Sequence, residues 1–141
     1  MGKKQLILFL SCLFGGLLVA LFFTRIFTNS PQKTQQYLQI VRVIDEAEFS
    51  FQPVGYATKQ GFQLDLHVTI TSYMNPDILD LDLITHIILE VNDGMIQPLE
   101  WIETDVSNHH ISGRLKFNLS NQPNGFTVKV FTYTDNEITW D

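Results

Sequence analysis

The residues with the clearest chemical capacity are the adjacent pair His109-His110, which follow Asp105-Val106-Ser107-Asn108 and precede an alternating run from Ile111. Imidazole nitrogens bind divalent metals, and Asp105, Glu103 or His67 could add ligands to a site built on the pair. The spacing works against it. Neighbours on an extended chain point to opposite faces, so both rings reach one ion only across a special turn. There is no His-x-His or Cys-x-x-Cys spacing, and the ordinary expectation is histidines hydrogen-bonded within a turn-rich segment. A metal-handling domain using His109, His110 and Asp105 is therefore the alternative reading of the chain.

Asp77, Asp80 and Asp82 offer the oxygen atoms that calcium takes, but no glycine or terminal glutamate falls in register for a twelve-residue loop. Interleaved with Ile78, Leu79, Leu81 and Leu83, they read equally well as a solvated face beside a buried one. Catalytic sets are harder to find. No Gly-x-Ser-x-Gly elbow occurs, and no glycine-rich phosphate loop. Glu100 and Glu103 could flank a glycosidic bond, yet a small sandwich domain rarely encloses the cleft this needs. The one cysteine, Cys12, lies in the apolar N-terminal run, which removes thiol chemistry and disulfides from everything downstream. The chain reads as non-catalytic, with no cofactor.

Charge narrows the partners. All fifteen acidic residues follow Thr28, against six basic ones: Lys33, Arg42, Lys59, Arg114, Lys116 and Lys129. That part carries a formal charge of −9, which repels nucleic acid.

The elements that must position these residues show a period of two. Phe62, Leu64, Leu66, Val68 and Ile70 alternate with polar neighbours, and so do Ile111, Gly113, Leu115, Phe117 and Leu119. Phe126, Val128 and Val130 repeat the pattern. Strands are expected near 38–44, 47–53, 62–72, 85–92, 95–103, 111–119, 126–133 and 137–141. Asp93-Gly94 marks a hairpin, Gln122-Pro123-Asn124-Gly125 a turn and Thr134-Asp135-Asn136 a second hairpin. Asn75–Ile84 reads as a loop or single helical turn, since Pro76 suits a first helical position. Trp101 and Trp140 belong to alternating strands and read as core, and Tyr37, Tyr56, Tyr73 and Tyr133 are scattered. Gly113 inside its strand implies a bulge or the close approach of another element, such as a tryptophan ring. Strands at this spacing, without a convincing helix, give one all-β, antiparallel, immunoglobulin-like sandwich of about seven or eight strands over residues 37–141.

The N-terminus sets the compartment. From Leu6 to Phe23 no residue is charged, and Leu6, Leu10, Gly15, Gly16, Leu21 and Phe23 mark out one apolar helix. At 1.5 Å per residue it covers about 27 Å, close to a hydrocarbon core. Lys3 and Lys4 precede it and Arg25 alone follows, so the positive-inside rule keeps the N-terminus in the cytoplasm. The site after Ala20 suits signal peptidase poorly, with Leu18 at −3, so residues 1–27 read as an uncleaved signal anchor and 28–36 as a polar tether. Ser11 and Gly15, or Cys12 and Gly16, have small-xxx-small spacing, common in spanning helices.

The combination of anchor, disulfide-free sandwich and a last strand ending at Trp140 resembles many small exported bacterial proteins. Its implication is a single-pass protein of the cytoplasmic membrane, with an extracytoplasmic domain that docks a protein partner of the membrane or envelope.

Overall fold

The alternating run from Phe62 to Ile70 becomes the centre of the larger of two antiparallel sheets. The computed structural model describes residues 34–141. Ten strands are present among them: β1 (Thr34–Gln36), β2 (Ile40–Ile44), β3 (Ala47–Thr58), β4 (Gly61–Thr71), β5 (Ile87–Val91), β6 (Gly94–Ile96), β7 (Glu100–Ser107), β8 (His110–Leu119), β9 (Phe126–Phe131) and β10 (Asp135–Trp140). The first sheet has the order β1-β3-β4-β8-β7, with β2 also on β3, and the second has the order β10-β9-β5-β6. The fold is all-β. The anchor residues Leu6, Leu10, Gly15, Gly16, Leu21 and Phe23 lie outside the described residues, within which no helix is long and apolar enough to cross a membrane.

Alternation puts one side of each sheet into a shared core. Phe49, Phe51, Leu64, Leu66, Leu115 and Phe117 come from the first sheet, and Ile87, Leu89, Val128 and Ile138 from the second, all fully buried. Each large apolar side chain removed from water contributes about 1.5–3 kcal/mol, which lets the domain do without disulfides. Between β4 and β5 the chain makes a 3-10 turn at Pro76–Asp80 and then a short helical turn, α1, at Leu83–His86. Pro76 opens the first, as its fixed φ allows, and Asp82 caps α1 by accepting from the Ile84 N–H at 3.1 Å. Ile78 and Leu83 plug the core from this connection.

Four sequence expectations shift. The strand expected at 95–103 is two strands in different sheets, because Gln97-Pro98-Leu99 carries the chain across and Pro98 cannot donate to a ladder. Asp105–Ser107 belong to β7 and not to a turn, with a bulge between Glu103 and Asp105. The hairpin after β5 turns on Asn92 and Asp93, both at positive φ, and Gly94 is already in β6. Of the tether expected at 28–36, Thr34–Gln36 pair with Val54–Tyr56 of β3.

The β1–β2 break has a local cause. Gln36 lies opposite Val54 and Ile40 opposite Phe51, so three residues face two across the gap. Tyr37 donates its N–H to the Pro53 carbonyl at 3.2 Å, and the missing Pro53 donor faces this same edge. The bulge leaves the Leu38 carbonyl to the Trp140 indole N–H at 2.7 Å, a bond from one sheet to the other. Trp140 stacks on Phe126, and Phe126 meets the Tyr37 ring edge-on. The Tyr37 hydroxyl is buried with no partner among the described residues, and burial raises its pKa. Tyr37→Phe keeps the ring contact and removes an unsatisfied polar atom. Urea unfolding should show it unchanged or more stable by up to about 1 kcal/mol.

Gly113 is a glycine whose lack of a side chain lets another element lie against its strand. A Cβ there would stand 2.5 Å from both the Ile102 carbonyl oxygen and the Trp101 ring, so the tryptophan lies directly on the strand backbone. The close approach expected from the sequence is this one. Gly113→Ala should cost about 2 kcal/mol in urea unfolding through overpacking. If its stability matches the parent, the tight Trp101 contact is wrong.

Candidate functional site

Strand direction sorts the loops into two ends. Thr34, the β3–β4 turn, Asn92-Asp93, Gly125 and Asp141 fall at one, where the described chain begins. The other holds the β2–β3 turn, the start of the β4–β5 connection, the β7–β8 turn and the β9–β10 loop. His109 and His110 lie at this second end.

Hydrogen bonds tie its four loops into one frame. Asp45 and Glu46, both at positive φ, form the two-residue turn between β2 and β3. The Asp45 carboxylate accepts from the Thr132 hydroxyl, from the Tyr133 N–H at 3.0 Å and from the Thr134 hydroxyl at 3.0 Å. Asn75 donates its amide to the Asp45 carbonyl at 3.5 Å and exchanges bonds with the Ser72 hydroxyl. Ser72, itself buried, donates its N–H to the His109 carbonyl at 2.9 Å. The frame thus runs from Thr132–Thr134 through Asp45 and Asn75 to His109.

What the frame displays is apolar. Tyr73, Met74 and Tyr133 are 74%, 79% and 76% exposed. The Tyr73 ring lies tilted over His109 with centroids 5.0 Å apart. Tyrosine and methionine are enriched where proteins meet, since they supply area with little ordering cost. Sequence reading passed over Tyr73 as one scattered aromatic. Its signal was position: a Tyr-Met pair just before Asn75-Pro76, in a connection and off the strand alternation.

The metal-ligand expectation meets a different geometry. His110 Nε2 stands 3.7 Å from Asp105 Oδ2, and its Nδ1 is 3.3 Å from the Thr71 hydroxyl. His109 lies tilted against Tyr73 instead of joining them, His67 stands exposed on β4, and among the described residues no three His, Cys, Asp or Glu side chains group as metal ligands. Asp77 sits in the first turn of the 3-10 segment and Asp82 is a helix cap. Glu100, Glu103 and Asp105 are exposed on one strand, with Glu100 paired to Lys116 at 3.3 Å.

Electrostatics leave the surface anionic. Arg114 pairs with the buried Asp65 at 3.2 Å, and Lys129 with Glu90 at 3.0 Å and Glu137 at 3.2 Å. The Glu90 and Glu137 carboxylates raise the Lys129 pKa. Of the five described basic residues, only Arg42 and Lys59 stand outside such pairs.

Comparison with family models, with curated proteins and with solved structures gives no match.

The Thr132 hydroxyl, with the other bonds, holds the Asp45 carboxyl below its ordinary value of 3.8. A depressed folded pKa stabilises the fold above the unfolded value, and the contribution disappears as pH falls through the folded one. Asp45→Ala should lose about 2 kcal/mol at neutral pH, by urea unfolding, and the gap to the parent should shrink below about pH 3.8. A gap that does not change with pH would remove Asp45 as the charged tie.

Proposed function

We propose that this chain is a membrane-anchored, extracytoplasmic binding protein whose immunoglobulin-like domain docks a protein partner of the membrane or envelope, without catalysis. The strand order supports the fold reading. Strands β3-β4-β8-β7 take the places of A-B-E-D, and β10-β9-β5-β6 those of G-F-C-C′, in an immunoglobulin sandwich. The connections β4–β5, β7–β8 and β9–β10 then stand as the B–C, D–E and F–G loops. Variable domains bind from the end that holds the first and last of these.

The observation that carries the function is the exposure of Tyr73, Met74 and Tyr133 on a hydrogen-bonded frame opposite Thr34. A frame fixed before contact lowers the ordering cost of association, and exposed aromatics provide the anchoring area. The uncharged run from Leu6 to Phe23 and the Lys3-Lys4 flank support the anchor, the N-in orientation and the export of residue 30 onward. Holding the domain at a membrane raises its effective concentration near any partner in the same bilayer.

A photo-crosslinking amino acid at Tyr73 or Tyr133 of the intact protein, irradiated in membranes of the cell that makes it, should yield one discrete adduct. The same group at Asn92, at the opposite end, should yield none. Equal adducts from both ends, or none from Tyr73 and Tyr133, would sink loop-end docking.

A further inference from the structure

Strand β7 closes one side of the larger sheet, pairs only with β8 among the described strands, and has the helical turn α1 lying beside it. Of its eight residues only Trp101 is partly buried. Natural edge strands are usually blunted by charge, proline, a bulge or a covering element. Strand β7 has no lysine or proline but carries the bulge near Thr104 and three carboxylates, which guard it against a second acidic edge. It carries Glu100, Glu103 and Asp105, with Ile102 36% and Val106 55% exposed between and beyond them. Glu103 has no cationic partner among the described residues, and Asp105 only the approach of His110. The strand ends at Ser107, opposite His110 and two residues before His109, whose ring lies tilted against Tyr73.

We propose that β7 is a strand-addition site for an extended, basic segment of the docked partner, laid along Glu100–Ser107 and ending at Tyr73 and His109; this rests on the loop-end reading. Main-chain bonds to the open edge would give affinity, and alternate side chains specificity. Charge selects the occupant. The bulge puts Glu100 and Asp105 on the face of Lys116 and Ser112, and Trp101, Glu103 and Val106 on that of Leu115, Gly113 and Ile111. Lysine or arginine at alternate positions thus meets Glu100 and Asp105, while the apolar residues between them cover Trp101 and Val106. A second copy fits poorly, because antiparallel β7–β7 pairing sets carboxylates against carboxylates. The bulge adds twist, which further disfavours pairing between two such edges.

The test uses the full chain in nonionic detergent micelles, with an alternating lysine–valine nonapeptide as probe and a glutamate–valine peptide as control. Hydrogen–deuterium exchange should slow over residues 100–107 with the lysine peptide and not with the control. Glu100→Lys with Asp105→Lys should weaken the lysine peptide by at least about ten-fold, and Glu100→Gln with Asp105→Asn by less. Both side-chain pairs are exposed, and an unchanged thermal midpoint confirms that the variants fold. Absence of slowing, or slowing that the charge reversal leaves intact, overturns strand addition. So does slowing without peptide that grows with protein concentration, since a second copy then occupies the edge. If the peptide fails while Tyr73 still crosslinks, only strand addition falls; if the Tyr73 adduct is also missing, loop-end docking falls with it.

Discussion

Two sheets with no disulfide between them stay packed here because one apolar layer is shared between them, and that layer has to be continuous. Phe49 and Phe51 stack on the first sheet against Ile87, Leu89 and Val128 of the second, and all are fully excluded from water. Every exposed feature rests on it. Tyr73, Met74 and Tyr133 can stand out in solvent because Ile78 and Leu83, only a few residues past Met74, plug the end of the core. Polar ties then fix details that apolar burial leaves loose: Trp140 to the Leu38 carbonyl at one end, Asp45 to the β9–β10 loop at the other. Packing density sets the tolerance of such a layer, so small changes beneath the loops are felt at the surface.

The legible part of the fold was the part governed by one strong rule. Alternation at Phe62–Ile70 and Ile111–Leu119 gave two central strands, and both run as read. The tryptophan over Gly113 was also readable, because a glycine in a strand interior calls for something close. Where two rules compete, the sequence misled. Met95 to Glu103 alternates well enough for one strand, yet Pro98 divides it between sheets. Asn92 and Asp93 took the positive φ values that Gly94 would have accepted at less strain.

The surface was less legible for a different reason. An exposed loop carries no periodicity, so Tyr73 and Tyr133 look alike until the loops are brought together. Asp45 gave no sign of its role, since its partners lie about ninety residues away and long-range pairing has no local signature. His109-His110 drew attention through residue type. The geometry divides the pair, one ring on Tyr73 and the other between Thr71 and Asp105.

The small ladder at Thr34–Gln36 has a mechanical meaning. Were the domain held at Thr34 and gripped at Tyr73, as proposed, it would be stretched along its strands, because these points lie at opposite ends of β3 and β4. Load of that direction is shared by the β1 and β2 bonds to β3 as shear, and they resist together instead of parting one after another. A tug between the two points would load those ladders along their length and would not peel away the first strand.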